Sequence, residues 1–185
     1  ELRMIRAEFG FKADCDPKSR LLNPELAGGT MLDIGVYPIT LSHYLFSKKP
    51  IAISSMASIG KTGVDEQMSL SLKYSDNQIA HLSTSFLATL ENSAFIYGTN
   101  GYIHIPEFWH SKKAILRSEN EETVFELDTP VSGYANEVNH MNEMILSDRS
   151  ESEVVTFEKT LEIMKIMDTV REQIGVRYPA DDKLV

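Results

Sequence analysis

The chain has 185 residues, 42% of them apolar and 24% charged, which suits one well-buried, water-soluble domain and argues against disorder. Its formal charge of -9, with no clustered Lys or Arg, argues against a nucleic-acid partner, and Cys15, the single cysteine, rules out an internal disulfide. No apolar run approaches the roughly 20 residues of a membrane span and no signal-peptide pattern opens the chain, so the expected location is cytoplasmic.

Leu2 to Phe11 reads as a strand, and a chain that opens inside ordered structure is expected to belong to a longer protein. Lys12 to Leu26 is a polar loop with Asp14, Asp16, Pro17, Asn23 and Pro24 as turn formers. Its length marks it as a candidate functional loop and draws attention to Arg20. Gly28-Gly29-Thr30 opens a helix running to about Phe46, apolar around most of its circumference and so expected to be buried. Pro38 cannot donate to the carbonyl of Ile34, which predicts a kink or local loosening.

From Ile51 to Leu127 the period changes to two, most clearly where Met68, Leu70, Leu72 and Tyr74 alternate with Gln67, Ser69, Ser71 and Lys73. Turn signals at Lys61-Thr62-Gly63, Ser75-Asp76-Asn77, Thr99-Asn100-Gly101 and Ser118 to Glu122 predict hairpins. Helical spacing returns near Tyr134, where Val138, Met141 and Ile145 share a face. It returns again from Thr156, where Leu161, Met164 and Met167 line up ahead of Gly175 as C-cap. Val176 to Tyr178 is expected to add a short strand. The sum is an α+β domain over residues 1–185, a mostly antiparallel sheet with helices on one face and the other face open.

Asp33 and Tyr37 stand four apart on the first helix and therefore face the same way. On so apolar a helix a carboxylate and a phenol must find partners or line a cleft. The pattern alone favours a plainer role for the carboxylate, because Thr30 and Asp33 match the Thr-x-x-Asp capping box. Phe108-Trp109 is a bulky pair beyond Pro106 that can form an apolar substrate wall, though such residues are more often core or oligomer contacts. Glu137-x-x-His140 lacks the second copy that a di-iron helix pair needs, and the other histidines have no metal-ligand spacing, so no metal site is assigned.

The run from Arg20 through Gly28-Gly29-Thr30-Met31-Leu32-Asp33-Ile34-Gly35-Val36-Tyr37-Pro38 resembles the segment after the active-site loop in the Gfo/Idh/MocA oxidoreductases, in their glucose-fructose oxidoreductase and dihydrodiol dehydrogenase branch. Two further stretches resemble that family in the same order, Gly98 to Trp109 and Met167 to Pro179. The resemblance implies the C-terminal, substrate-binding and oligomerisation half of an NAD(P)-dependent dehydrogenase. On that reading Tyr37 is the acid-base residue, Asp33 orients substrate or tyrosine, and Arg20, Trp109 and Tyr134 line the substrate. Tyr134 has an equal rival reading as a hydrophobic contact at the start of its helix.

The resemblance also implies a homodimer or tetramer built through the sheet. NAD or NADP would be held mainly by an N-terminal Rossmann domain that also supplies a lysine from a Glu-Lys-Pro segment. Neither Glu-Lys-Pro nor Gly-x-Gly-x-x-Gly occurs in these residues, so the chain by itself is expected to be inactive. The substrate implied is a sugar, polyol or aromatic diol, and a biliverdin-reductase-like branch with another substrate fits the same pattern. The alternative from another class is a binding or dimerisation module that uses the open sheet face.

Overall fold

The computed structural model describes residues 1–127 and 133–183. Eight strands form one sheet: β1 (Leu2–Gly10), β2 (Ala52–Ile59), β3 (Asp65–Lys73), β4 (Ile79–Ser85), β5 (Ala94–Gly98), β6 (Gly101–Ile105), β7 (Lys113–Ser118) and β8 (Glu122–Glu126). The order across the sheet is β2-β3-β4-β1-β5-β6-β7-β8. The first strand is thus a central one. It pairs in parallel with β4, placing Ile5 beside Ala80, and antiparallel with β5, placing Ile5 beside Ile96. The other neighbouring pairs are antiparallel, and the four expected turns each close a hairpin.

Three α-helices accompany the sheet: α1 (Val36–Phe46), α2 (Gly133–Leu146) and α3 (Phe157–Ile174). On one face α1 and α3 cover the half made by β1 to β4, and Ile5, Ala7, Leu70, Leu72, Leu82, Met31, Ile39, Ile166 and Met167 close the core between them. Each large apolar side chain buried there contributes about 1.5–3 kcal/mol. Gln173 of α3 fixes that helix to β2, donating to the Ile53 carbonyl at 2.9 Å and accepting from the Ser55 hydroxyl at 2.7 Å. His43 of α1 ties the two helices together, its Nε2–H donating to Glu162 at 2.7 Å while Lys49 holds the other carboxylate oxygen at 2.9 Å. The opposite face is open, with Met56 exposed and Gln67 and Ser69 pointing outward. Among the described residues no helix is long and apolar enough to cross a membrane.

Several local expectations change. The helix after Gly28-Gly29-Thr30 begins as a π-helical turn, Met31–Gly35, before continuing as α1. The loosening expected around Pro38 lies just upstream of it, in the π-helical turn, and the proline is the third residue of α1. The buried stripe of α3 is Ile163, Ile166, Met167 and Val170, whereas Leu161 and Met164 are exposed. On α2, Val138, Met141 and Ile145 are exposed and only Met144 is buried. Val176 and Tyr178 form no strand. They pack beside Val64 in a small separate cluster, and the Tyr178 hydroxyl donates to the Gly28 carbonyl at 2.6 Å. Gly175 is the left-handed C-cap of α3, as expected.

Candidate active site

The Thr30-x-x-Asp33 capping box does not form. Thr30 is helical in its own dihedrals and makes no side-chain cap bond. The helix start is capped from another strand, by Asp65 at the head of β3. Its Oδ2 accepts from the Thr30 hydroxyl at 2.6 Å and from the Met31 amide at 2.7 Å. The Thr84 hydroxyl in turn donates to Thr30 Oγ1 at 2.8 Å. Asp65 is fully buried, and burial holds its carboxyl above the usual aspartate range despite the bonds it accepts. Gly29 passes so close that an added Cβ would lie 2.4 Å from Asp65 Oδ1, and its φ of +109° suits glycine alone.

With the cap supplied elsewhere, Asp33 is free for another partner. Arg20, from the long polar loop, reaches it with Nη2 at 2.6 Å from Oδ1. The carboxylate is largely buried and the guanidinium mostly exposed, so the pair lies at the rim of the domain with the arginine outermost. Tyr37 stands one turn further along and retains 40% of its surface. Its ring packs edge-on against Phe9 at 5.5 Å and against Trp109 at 6.5 Å. Phe9 closes β1 beneath the cluster and stacks on Trp109 at 5.2 Å with the planes 10° apart. Phe108 meets Phe9 from the side.

Tyr134 and Glu137 share one face of α2, a turn apart, and both act electrostatically on Tyr37. Burial is the main reason the Tyr37 phenol is held above its ordinary value, and the Tyr134, Asp33 and Glu137 charges push it the same way. Tyr134 is 70% exposed, which does not suit a hydrophobic contact that pins its helix. Tyr37 therefore has Phe9 and Trp109 in ring contact and Asp33 one turn before it on the same helix, with Arg20 reached through Asp33 and Tyr134 exposed on α2. Phe9, Asp33, Tyr37 and Trp109 make a partly exposed wall on the domain surface. Chemically this wall offers a protonated phenol as donor, a carboxylate fixed by a guanidinium, and flat apolar surface. His140 is not part of it and hydrogen-bonds Ser152 at 2.8 Å.

Residues 1–104 match the GFO/IDH/MocA C-terminal domain. The chain belongs to the GFO/IDH/MocA family. That match includes Arg20, Asp33 and Tyr37, while Trp109 and Tyr134 lie beyond it. The chain is 33% identical over 187 residues to a trans-1,2-dihydrobenzene-1,2-diol dehydrogenase of Xenopus tropicalis, covering 97% of this chain and 56% of that protein. Its counterpart in Xenopus laevis is 34% identical over 188 residues, with the same shares covered. The chain thus spans little more than half the length of these relatives. Among solved structures, an aldose-aldose oxidoreductase from Caulobacter crescentus complexed with glycerol superposes with a TM-score of 0.81 at 20% identity, over 94% of this chain and 53% of that one. A 3-ketoreductase from Actinomadura kijaniata in complex with NADP and TDP-benzene gives 0.78 at 20% identity, over 94% and 54%. At such identities these structures establish the GFO/IDH/MocA fold.

Proposed function

We propose that this chain is the substrate-side half of an NAD(P)-dependent oxidoreductase that interconverts CH–OH and C=O at a diol, polyol or sugar. The observation that carries the reading is the half-exposed Tyr37 phenol, set beside the Arg20–Asp33 pair and the Trp109 ring, in a chain whose relatives are named diol dehydrogenases. A bound nicotinamide dinucleotide supplies or accepts the hydride. This chain's residues fit the substrate side of such a group and not its pyrophosphate. They carry no glycine-rich strand-to-helix turn, and the wall presents Asp33 and Glu137, which repel phosphate. A separate nucleotide-binding domain is therefore part of the proposal, as the longer relatives suggest.

In the reducing direction Tyr37 gives its proton to the carbonyl oxygen as hydride reaches the carbon, and solvent then reprotonates the phenolate. In the oxidising direction the phenolate must form first. Burial and three acidic neighbours oppose that, so a cation from the nucleotide domain has to offset them, the part a lysine plays in the resemblance. Asp33, fixed by Arg20, orients the substrate hydroxyl or the phenol, while Trp109 and Tyr134 flank the apolar part of the substrate.

The open sheet face supports assembly into a homo-oligomer. There Phe95 and His104 stack at 4.4 Å, Arg6 covers the Phe95 ring at 4.4 Å, and Tyr97 meets Tyr102 at 5.6 Å, a concentration of aromatic and cationic surface typical of interfaces. Titrating this chain and the full-length protein with NADPH, then assaying the latter with trans-1,2-dihydrobenzene-1,2-diol and NADP, tests the reading. The expected result is binding and turnover by the full-length protein alone. Tight stoichiometric NADPH binding by this chain contradicts the division of labour.

A further inference from the structure

We infer that His110 is a positioning residue for the substrate wall, its imidazole and Phe9 both stacking on Trp109 so that the indole edge is held against Tyr37. The inference rests on the substrate wall proposed above and concerns how it is built. Residues Glu107 to His110 form a tight turn, in which the His110 amide donates to the Glu107 carbonyl at 3.0 Å. Glu107 itself takes a φ of +45°, a left-handed conformation that a side chain adopts only at a cost. Something must hold that turn closed.

The His110 ring does so a second time. Its Nδ1 lies 3.1 Å from the same Glu107 carbonyl. A carbonyl can only accept, so Nδ1 carries the proton, which fixes the tautomer and the plane of the ring. That plane lies 13° from the indole of Trp109 with centroids 3.7 Å apart. Phe9 is stacked on the indole as well, at 5.2 Å and 10°. The result is a set of three stacked rings, phenyl, indole and imidazole, anchored in β1 and in a doubly bonded turn. The Phe108 amide, donating to the Asn92 carbonyl at 3.2 Å, secures the middle of the turn to the preceding loop. Trp109 is partly exposed, so without its outer neighbour the indole has room to swing away from Tyr37. The residue thereby sets the shape of the apolar surface offered to a substrate.

Trp109 is the only tryptophan of the chain, so its fluorescence reads this stack alone. The test compares acrylamide quenching in the wild-type chain, His110→Ala and His110→Phe, with far-UV circular dichroism melts as a check on folding. A lost aromatic stack of about 0.5–1.5 kcal/mol corresponds to a roughly two- to tenfold larger population of displaced indole. Quenching should rise accordingly in His110→Ala and return to the wild-type level in His110→Phe, which keeps a stacking ring without the turn bond. Unchanged quenching in a folded His110→Ala protein overturns the inference, as does His110→Phe quenching as strongly as His110→Ala. Where His110→Ala does not fold, His110→Phe decides alone, with wild-type quenching in favour and raised quenching against. Neither outcome depends on turnover, so failure here is distinguishable from failure of the dehydrogenase reading.

Discussion

Replacing Asp65 separates geometry from charge at the point that sets the pitch of the site helix. In Asp65→Ala the Thr30 hydroxyl and the Met31 amide lose an acceptor they meet at 2.6 and 2.7 Å in a fully buried setting. Two hydrogen bonds to a charged acceptor are worth about 1.5–3 kcal/mol each, and relief of the buried charge returns part of that, leaving a net loss of about 2–4 kcal/mol. For a chain of this size the melting temperature falls by roughly 4 to 16 °C. Asp65→Asn places an amide oxygen where Oδ2 was and removes the charge but puts an amide NH2 at the partnerless buried Oδ1 position, so it should cost about 1–3 kcal/mol, less than Asp65→Ala.

The pH dependence follows from the raised Asp65 pKa. Between the ordinary aspartate value of 3.8 and the higher native one, the folded state holds more protons than the unfolded state. Stability is therefore fullest below that window and is lost as pH rises through it. Urea melts across that range should show the slope in wild-type protein and its absence in Asp65→Asn. If Asp65→Asn is as unstable as Asp65→Ala, the cap depends on charge and the reasoning fails.

Gly29→Ala forces a side chain into a φ of +109° and against Asp65 Oδ1, and should destabilise by at least about 2 kcal/mol in the same melts. Glu162 behaves oppositely to Asp65. Its hydrogen bond from Lys49, and then that from His43, holds its carboxyl below the usual value of 4.5, so its stabilising contribution is present above that value and lost as pH falls through the native one. Glu162→Gln should flatten the acid limb of the stability curve, and an unchanged limb would show that the His43–Glu162–Lys49 contact contributes nothing. Arg20→Ala removes a mostly exposed cation and should cost about 1 kcal/mol or less in stability. In the full-length protein it should nonetheless lower kcat/KM about tenfold by freeing Asp33 to reorient. Equal kcat/KM values would mean that the pair plays no part in positioning.

Much of this architecture was legible in the chain. The alternation of Met68, Leu70 and Leu72 marks β3, the turn residues mark four of the five hairpins between consecutive strands and miss the one from β6 to β7, and the spacing of Asp33 and Tyr37 puts both on one helix face. Asp65 was not legible. A bulge where Ile59 pairs with Asp65 breaks the strand's phase, so the carboxylate turns inward out of step with the apolar residues after it. Without Asp65 in view, the capping box was the natural reading of Thr30 and Asp33.

The central position of β1 was likewise hidden, because its partners β4 and β5 lie some seventy and more residues away in the sequence and pairing leaves no local trace. Leu161 and Met164 follow helical spacing as faithfully as Ile163 and Ile166, and periodicity alone does not say which of two apolar stripes meets the sheet. Trp109 was visible as a bulky ring beyond a strand, but the part of His110 was not, because their stacking depends on a turn whose conformation a sequence pattern does not encode.

The phenol is where the account is most exposed to test. In the full-length protein, Tyr37→Phe should lower kcat for trans-1,2-dihydrobenzene-1,2-diol oxidation by about 10²- to 10⁴-fold while NADP affinity and melting temperature stay near wild type. Turnover undiminished by loss of that one hydroxyl would remove Tyr37 from the chemistry and, with it, the function proposed for this wall.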